Sequence, residues 1–211
     1  MERLLCIVIG YLFGMIQTSY IIGKIKGIDI RDFGSGNAGT TNSMRVLGKK
    51  AGFITVIVDI AKCIAAVAIV YAIFKDSDHR VLLKAYTAAG VVLGHDFPFY
   101  MRFHGGKGIA ATAGMIIAFG DIRLIGIGVA CFFLPAYLSH HISVGSLCLS
   151  ASFLIGIIVF GEMGSYGMSA GYRIEMYLVV AALTALAFFQ HRENIARLIK
   201  GTESRVWDKK K

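Results

Sequence analysis

Charge and proline are both scarce in this sequence. Of its 211 residues, 2 are proline and 17% are charged, whereas 56% are hydrophobic. An average soluble domain has about 25% charged residues, and the mean hydropathy here is +0.66. The chain is therefore far more apolar than a soluble domain of its size, and the sequence predicts a membrane protein.

Paired cysteines, a cleavage site and repeats are also missing. The four cysteines lie singly inside apolar runs, which argues against a disulfide framework and against a zinc site. The first apolar run has no strongly basic segment before it and no small-x-small cleavage site after it, so we expect an uncleaved span. Since no internal repeat or low-complexity segment stands out, we expect one polytopic transmembrane domain over residues 1–211.

Seven apolar runs are long enough, or nearly long enough, to cross a bilayer as helices. A hydrocarbon core of about 30 Å needs about 20 residues, so the short run 109–119 must tilt little, use its glycine-rich flanks or be re-entrant. We therefore predict an all-α membrane protein with about seven transmembrane helices. The runs cover residues 4–22, 51–74, 81–99, 109–119, 124–138, 142–160 and 174–189.

The basic residues predict the orientation in the membrane. Seven crossings place the connections 23–50, 100–108, 139–141 and 190–211 on one side, and these contain 15 of the 22 basic residues, among them Lys209 to Lys211. By the positive-inside rule this side is cytoplasmic, with the N-terminus outside and the C-terminus inside. The net charge of +9 thus follows from membrane topology, and we expect no nucleic-acid partner.

The most polar connection is the segment 32–42, which contains three glycines, two amides and three hydroxyls and is followed by Arg45. Such a loop can wrap an anion with backbone N–H donors; a flexible connection between helices is the alternative. Gly34, Gly36 and Gly39 match the spacing of the dinucleotide-binding fingerprint. That fingerprint needs a preceding strand, and an apolar span stands there instead.

A second polar segment covers residues 94–108 and ends in a glycine pair followed by Lys107, at the start of an apolar run. This arrangement is typical of an anion site at a helix N-terminus. It is not a Walker A loop, because Met101 replaces the first glycine and Gly108 replaces the Ser or Thr. A tight turn with a lysine reaching towards the membrane surface is the alternative.

Two further polar segments open the sixth run and close the seventh. In the first of them, Ser143 and Ser146 are candidate ligands, and the ordinary alternative is that they are N-caps of the helix. The adjacent histidines 140–141 diverge by about 100° on a helix and have no neighbouring carboxylate, so we expect no metal. In the second, His191 and Asn194 share one helical face, whereas the basic residues after them fit an interfacial helix on anionic lipid.

Asp59 and Lys62 are charged residues inside the second apolar run. Charges within a membrane are costly, and a functional role is their default interpretation. Because these two are spaced i, i+3 and can neutralise each other, we expect a structural ion pair near the cytoplasmic third of the span.

All four polar segments reach the same predicted face of the membrane. Independent connections would have no reason to collect their glycines, hydroxyls and amides on one side, and the outer connections carry no comparable cluster. We therefore expect a membrane-embedded site for phosphorylated ligands that faces the cytoplasm.

The polar segments together resemble the bacterial acyl-phosphate-dependent glycerol-3-phosphate acyltransferase family. The similarity runs in order from the first loop to the tail. Thr40, Cys63 and the residues 139–141 depart from the usual pattern, which leaves the reaction unaffected. The matching motifs are Gly34-Ser35-Gly36-Asn37-x-Gly39-x-Thr41-Asn42, Asp59-x-x-Lys62, Gly94-His95-x-Phe97-Pro98, Gly105-Gly106-Lys107-Gly108, Ser143-x-x-Ser146, His191-Arg192-x-Asn194 and Gly201-Thr202-Glu203.

This resemblance implies a multi-pass enzyme of the bacterial inner membrane that moves a fatty acyl group from acyl phosphate to the 1-hydroxyl of sn-glycerol 3-phosphate. The product is 1-acylglycerol 3-phosphate, an early phospholipid precursor. The resemblance implies no cofactor, no acyl-CoA and a functional link to the enzyme that makes acyl phosphate. A transporter of a phosphorylated metabolite is the alternative, and it would show more polar residues deep in its spans.

The resemblance also implies roles for individual residues. General base is the open role: His191, His95 and an oxygen of the donor phosphate are candidates, and a covalent acyl-serine is the rival mechanism. The implied catalytic residues are Arg45, Lys107, His191 and Asn194. The implied substrate-binding residues are Ser35, Gly36, Asn37, Gly39, Thr41, Asn42, His95, Gly105, Gly106, Ser143, Ser146 and Glu203.

Overall fold

The structure is a computed structural model that describes residues 1–205 of the chain. The regular elements of this part are all helical, which confirms the predicted all-α class. Lys209, Lys210 and Lys211, counted above among the cytoplasmic charges, lie outside the described residues. Short 3-10 helices cover Ile30–Asp32 and Phe99–Met101. The α-helices are α1 (Glu2–Gly14), α2 (Thr18–Ile25), α3 (Thr40–Val46), α4 (Lys49–Ile73), α5 (Arg80–Asp96), α6 (Ile109–Phe119), α7 (Ile122–Ser139), α8 (Ile142–Glu162), α9 (Ala170–Gln190) and α10 (Arg192–Ile199).

Five helical segments among the described residues are long and apolar enough to cross a membrane: Glu2–Ile25, α4, α7, α8 and α9. The helix α5 has 17 residues, and the apolar helix α6 has 11. Each of the seven predicted runs is thus helical over most of its length. Seven crossings and the placement of the two termini stay predictions.

The first apolar run is interrupted, although we expected one helix over residues 4–22. The helix α1 ends at Gly14, and α2 begins only at Thr18. Between them Gln17 leaves the helical conformation, with φ −99° and ψ 83°. Gly14 is the last residue of α1, but a single glycine does not predict an interruption, and the groups that hold this one come from other helices.

The chain divides into two compact units, Met1–Phe119 and Gly120–Lys211. In the first unit α4 and α5 contact each other and both α1 and α6. In the second unit α8 packs against α7 and α9. The α7–α8 contact is close at Gly145, where an added Cβ would meet the carbonyl oxygen of Phe132. The single transmembrane domain expected from the sequence stays a prediction.

Glycines set the contact between α1 and α5. A Cβ added to Gly10 or Gly14 of α1 would meet carbonyl oxygens of α5, and the G-x-x-x-G spacing of these two glycines is typical of such close packing. Gly90 and Gly94 form the matching pair on α5, where an added Cβ would meet carbonyl oxygens of α1. The two backbones can approach this closely only because neither surface carries side chains at the contact.

The short helix α6 is held by α4 and α5 within the first unit. It packs on α4 through Gly114, where an added Cβ would lie 2.6 Å from the carbonyl oxygen of Ile60. At its C-terminus, Lys84 Nζ of α5 donates to the carbonyl oxygens of Ala118 at 3.1 Å and Phe119 at 3.3 Å. The lysine thus satisfies carbonyls that a further helical turn would otherwise bind.

Candidate active site

The first polar loop, residues 33–39, is held in shape by Asn42 of α3. Its side-chain oxygen accepts a hydrogen bond from the N–H of Ser35 at 2.9 Å, and its amide nitrogen donates to two carbonyl oxygens of the preceding turn at 3.2 and 3.0 Å. Gly34 has a φ of +64°, and a Cβ there would collide with the Asn42 side-chain oxygen. Asn42 therefore organises the loop, and its predicted contact with substrate stays a prediction.

The outer surface of this loop is accessible. The helix α3 that follows it is tied to α4 by a 3.2 Å hydrogen bond from Thr55 Oγ1 to Ser43 Oγ. This contact fixes the helix whose last turn carries Arg45. The predicted ligands along the loop and α3 are exposed or half-buried: Ser35, Gly36, Asn37, Gly39, Thr41 and Arg45.

The second polar loop connects α5 to α6 and is bound to the end of α5. The N–H of Gly105 donates to the carbonyl oxygen of Asp96, and the N–H of Gly106 donates to that of His95, both at 3.0 Å. A Cβ on either glycine would overlap with His95, so only glycine lets the loop lie this close. Lys107 is half-buried and stands two residues before the first residue of α6.

One backbone hydrogen bond joins the two loops. The N–H of Ala38, a residue that is 1% exposed, donates to the carbonyl oxygen of Gly105 at 3.4 Å. The loop that carries Ser35 and the loop that carries Lys107 therefore lie side by side in the first unit. The structure thus brings together two predicted groups of ligands that are far apart in the sequence.

A buried polar cluster lies against the second loop, formed by Asp59 and Lys62 of α4 and His95 of α5. Lys62 Nζ is 2.8 Å from Asp59 Oδ1 and 2.9 Å from His95 Nδ1. The exposed fraction is 3% or less for all three side chains. The predicted ion pair of Asp59 and Lys62 is confirmed. His95, predicted to bind substrate, is the third member of this cluster.

In the second unit, Glu203 accepts hydrogen bonds from two predicted site residues and one arginine. Its Oε1 accepts hydrogen bonds from Ser143 Oγ at 3.1 Å and Asn194 Nδ2 at 2.6 Å, and its Oε2 accepts from Arg197 Nε at 2.7 Å. Burial raises the pKa of Glu203, but the hydrogen bonds from Asn194 and Arg197 outweigh it, so the pKa lies below its ordinary value. Glu203 is thus a carboxylate that ties α8 and α10 to the chain after α10.

Ser146 and His191 are buried in the second unit, with exposed fractions of 3% and 4%. Ser146 Oγ donates to the carbonyl oxygen of Ile142 at 2.9 Å, one turn earlier in α8. His191 Nδ1 lies 2.7 Å from the carbonyl oxygen of Ala187. Because a carbonyl only accepts hydrogen bonds, Nδ1 carries a proton in this contact. Whenever the ring is neutral, Nε2 therefore carries the lone pair.

Two residues of these networks were not candidates from the sequence. Gln17 Nε2 donates to the carbonyl oxygen of His95 at 2.6 Å, and its signal was an amide inside an apolar run. Arg197 was expected to anchor on lipid, and the structure gives it Glu203 as an ionic partner. The two residues are six apart, outside the i+3 and i+4 spacings that indicate contact on a helix.

The chain is similar to known proteins over nearly its full length. Residues 4–201 match the family described as glycerol-3-phosphate acyltransferase. The chain is 37% identical to a glycerol-3-phosphate acyltransferase of Pelodictyon phaeoclathratiforme over 94% of each chain. It is 34% identical to one of Chlorobium chlorochromatii over 95% of each chain.

Solved structures with the same fold include two crystal structures of PlsY (YgiH), an integral membrane glycerol 3-phosphate acyltransferase. Its glycerol 3-phosphate form superimposes with a TM-score of 0.82 and 30% identity, covering 97% of this chain and 96% of that chain. Its lysophosphatidic acid form has a TM-score of 0.80 and 30% identity, with 97% and 95% covered.

Proposed function

Because this chain belongs to the glycerol-3-phosphate acyltransferase family, we propose that its acyl donor is an acyl phosphate and its acceptor the 1-hydroxyl of sn-glycerol 3-phosphate. The products are then 1-acylglycerol 3-phosphate and inorganic phosphate. The solved relative supports acceptor and product, since it is named in a glycerol 3-phosphate form and a lysophosphatidic acid form. The chain is an integral membrane acyltransferase of phospholipid biosynthesis.

The observation that carries the donor proposal is the contact of the two glycine loops in the first unit. Acyl phosphate and glycerol 3-phosphate each bring a phosphate, so the enzyme needs more than one set of anion ligands. The loop of Ser35 and Asn37 and the loop of Lys107 meet at the Ala38–Gly105 hydrogen bond. Both loops are glycine-rich, and the chain after the first adds the charge of Arg45.

In the proposed reaction the glycerol hydroxyl gives its proton to a base as its oxygen attacks the carbonyl carbon of the acyl phosphate. The bond from that carbon to the phosphate oxygen then breaks, and phosphate leaves. Arg45 and Lys107 stabilise the departing phosphate, and loop N–H groups stabilise the carbonyl oxyanion. Since an acyl phosphate is already activated, positioning and electrostatics supply most of the rate.

The residues of the second unit are assigned to substrate phosphate as well. Ser143, Ser146 and Asn194 supply hydrogen-bond donors of the kind that phosphate oxygens accept. The ring N–H of His191 is donated to Ala187, so this residue acts there as a base. Glu203, predicted with the substrate-binding residues, contacts Ser143 and Asn194. Because a carboxylate repels a phosphate, we propose that Glu203 orients these two side chains and does not itself bind the substrate phosphate.

The geometry favours His191 over His95 as the general base. His191 donates through Nδ1 to the Ala187 carbonyl, which leaves Nε2 as the nitrogen that can accept the hydroxyl proton. His95 instead has Nδ1 next to the Lys62 ammonium and Nε2 against Gly106. An oxygen of the donor phosphate is the other candidate proton acceptor. If it takes the proton, the pH dependence of the rate should not follow the titration of a histidine.

A covalent acyl-serine is the rival mechanism. Ser143 Oγ donates to Glu203, and the lowered pKa of that carboxylate makes it a weak base. Ser146 Oγ donates to a carbonyl of its own helix, which cannot take up its proton. Incubation with acyl phosphate alone should therefore give no acyl-enzyme by mass spectrometry, and an adduct on Ser35, Ser143 or Ser146 would contradict direct transfer.

The decisive experiment uses purified protein with palmitoyl phosphate and labelled glycerol 3-phosphate, and palmitoyl-CoA as the matched control donor. We expect 1-palmitoylglycerol 3-phosphate with the acyl phosphate only. Product with palmitoyl-CoA would contradict the proposed donor. No product with either donor would favour a transporter of phosphorylated metabolites.

We further propose that the reaction takes place at the cytoplasmic face of the bacterial inner membrane. Acyl phosphate and glycerol 3-phosphate would be supplied there, the former by the enzyme that makes acyl phosphate. The excess of basic residues in the predicted inner connections supports this orientation.

A further inference from the structure

We propose that the buried cluster of Asp59, Lys62 and His95 is a positioning network that sets the shape of the Gly105–Lys107 loop. In this role Lys62 acts on substrate binding without touching substrate. The inference rests on the proposed function, because it concerns the loop assigned there to substrate phosphate.

His95 supports the loop at two points. Its carbonyl oxygen accepts the N–H of Gly106 at 3.0 Å and the Gln17 side chain at 2.6 Å. Its ring lies against the same glycine, since an added Cβ on Gly106 would meet His95 Nε2 first. The position of the His95 ring therefore limits where Gly106, and with it Lys107, can lie.

Lys62 determines which ring nitrogen of His95 carries the proton. An ammonium group only donates hydrogen bonds, so His95 Nδ1, at 2.9 Å from Lys62 Nζ, must accept. A neutral ring then has its proton on Nε2. The ion pair with Asp59 at 2.8 Å stabilises the charged form of Lys62. The cluster thus presents an Nε2–H group to the glycine loop.

Lys62 also fixes the interruption between α1 and α2. Its Nζ donates to the carbonyl oxygens of Gly14 at 3.1 Å and Ile16 at 2.8 Å. An unpaired carbonyl is costly where it is buried, as at Gly14, so this interruption depends on Lys62. The interruption in turn positions Gln17, which holds the His95 carbonyl. Lys62 therefore acts on His95 both directly and through Gln17.

The effect reaches the first loop as well. The carbonyl oxygen of Gly105 accepts the N–H of Ala38, so a shift of the second loop displaces the loop that carries Ser35. A network of this kind changes the binding of substrate and leaves the reacting groups present. We therefore expect its loss to raise KM more than it lowers kcat.

The test is the double variant Asp59→Asn/Lys62→Met, which removes both charges and leaves no unpaired buried ion. We expect KM for palmitoyl phosphate, whose phosphate is assigned to Lys107, to rise about 10-fold, the loss typical of a removed charged hydrogen-bond partner, while kcat falls less than about 3-fold. Calorimetric binding of palmitoyl phosphate should weaken by the same factor.

The tautomer of His95 gives a second readout of the network that is independent of the kinetics. In ¹⁵N-histidine spectra of the wild-type protein, the His95 signals, assigned with His95→Gln, should show a protonated Nε2 and an unprotonated Nδ1. The double variant should show a mixture of both tautomers. The matched control is His79→Gln at the opposite end of α5, where His79 Nε2 contacts Glu2 at 2.7 Å; it should leave KM and the His95 signals unchanged.

A folded double variant with wild-type KM and an unchanged His95 tautomer would overturn the network. If the double variant does not fold, His95→Asn takes its place, because asparagine can still accept from Lys62 and leaves no ring against Gly106. An unchanged KM in that variant would overturn the proposal equally. A wild-type protein that is inactive with acyl phosphate but shows the tautomer signature and glycerol 3-phosphate binding contradicts the donor proposal alone.

Discussion

Polar residues of one motif have different tasks in this protein. Ser35 and Thr41 are exposed, whereas Asn42 is 2% exposed and uses its amide inside the loop. His95 and Glu203 are likewise engaged with neighbouring side chains. The sequence predicts all of them as one group of ligands, because residue type does not tell a group that contacts ligand from a group that shapes the site.

At the residue scale, the two basic side chains carry the sharpest prediction. Arg45→Ala or Lys107→Ala should reduce turnover at least about 100-fold, because each removes a positive charge that stabilises the leaving phosphate. Activity is measured with palmitoyl phosphate and glycerol 3-phosphate. Lys50→Ala, an exposed basic residue at the start of α4, is the control and should stay near the wild-type rate. Near-normal turnover of both test variants would contradict the phosphate assignment.

The lowered pKa of Glu203 predicts that the stability of the folded protein depends on pH. Its pKa in the folded protein lies below the ordinary value of 4.5, so its contribution is present above that value and is lost as the pH falls through the folded pKa. Glu203→Gln should lower the thermal midpoint at pH 7 and flatten its decline between pH 5 and pH 3. Glu193→Gln, with a side chain that is 72% exposed, is the control. An equal decline in wild type and Glu203→Gln would contradict the role of the carboxylate.

At the scale of elements, the α1–α5 contact depends on glycines whose neighbours are backbone atoms. Gly94→Ala should lower the free energy of unfolding by about 1–3 kcal/mol, the range for overpacked interiors, because the added methyl meets the Tyr11 carbonyl oxygen. Gly126→Ala in α7 is the control, since nothing lies within 4 Å of its added Cβ. It should be neutral or stabilising. Denaturant titration in detergent measures both, and equal stability of the two variants would contradict the contact.

Two helix ends show why element boundaries were harder to predict than elements. The α1–α2 interruption is satisfied by Lys62 of α4, and the C-terminus of α6 by Lys84 of α5. Gly14 was only a weak local sign of the interruption, because glycine in an apolar run also fits close helix packing. Where the partner of a backbone group lies in another helix, a local pattern cannot indicate the boundary.

At the scale of the whole molecule, the number of crossings is open to a direct test. In a cysteine-free variant, a single cysteine at Ser77 or Met163 should react with a membrane-impermeant maleimide in intact cells. A cysteine at Lys50 should react only after permeabilisation. Protection of Met163→Cys together with labelling of Ser77→Cys would mean that one of the helices α5 to α8 does not cross, and would contradict seven spans.

The family and the class of fold were within reach of the sequence. The motifs from Gly34 to Glu203 indicated a glycerol-3-phosphate acyltransferase, and the comparison over residues 4–201 confirms that family. The acyl-phosphate donor, the individual site residues and the orientation stay predictions. The difference has a physical cause, since a motif reports residue types in order and not the partners or protonation states that give them a role.

The sequence by itself determined the helical membrane class, the polar segments and the ion pair of Asp59 and Lys62, because hydropathy, residue type and i, i+3 spacing are local properties of the chain. Only the tertiary structure decided that Lys62 contacts His95, that the Gly105 loop contacts Ala38 and that Glu203 binds Ser143. These contacts join residues far apart in the chain, and they exist only once the helices have packed.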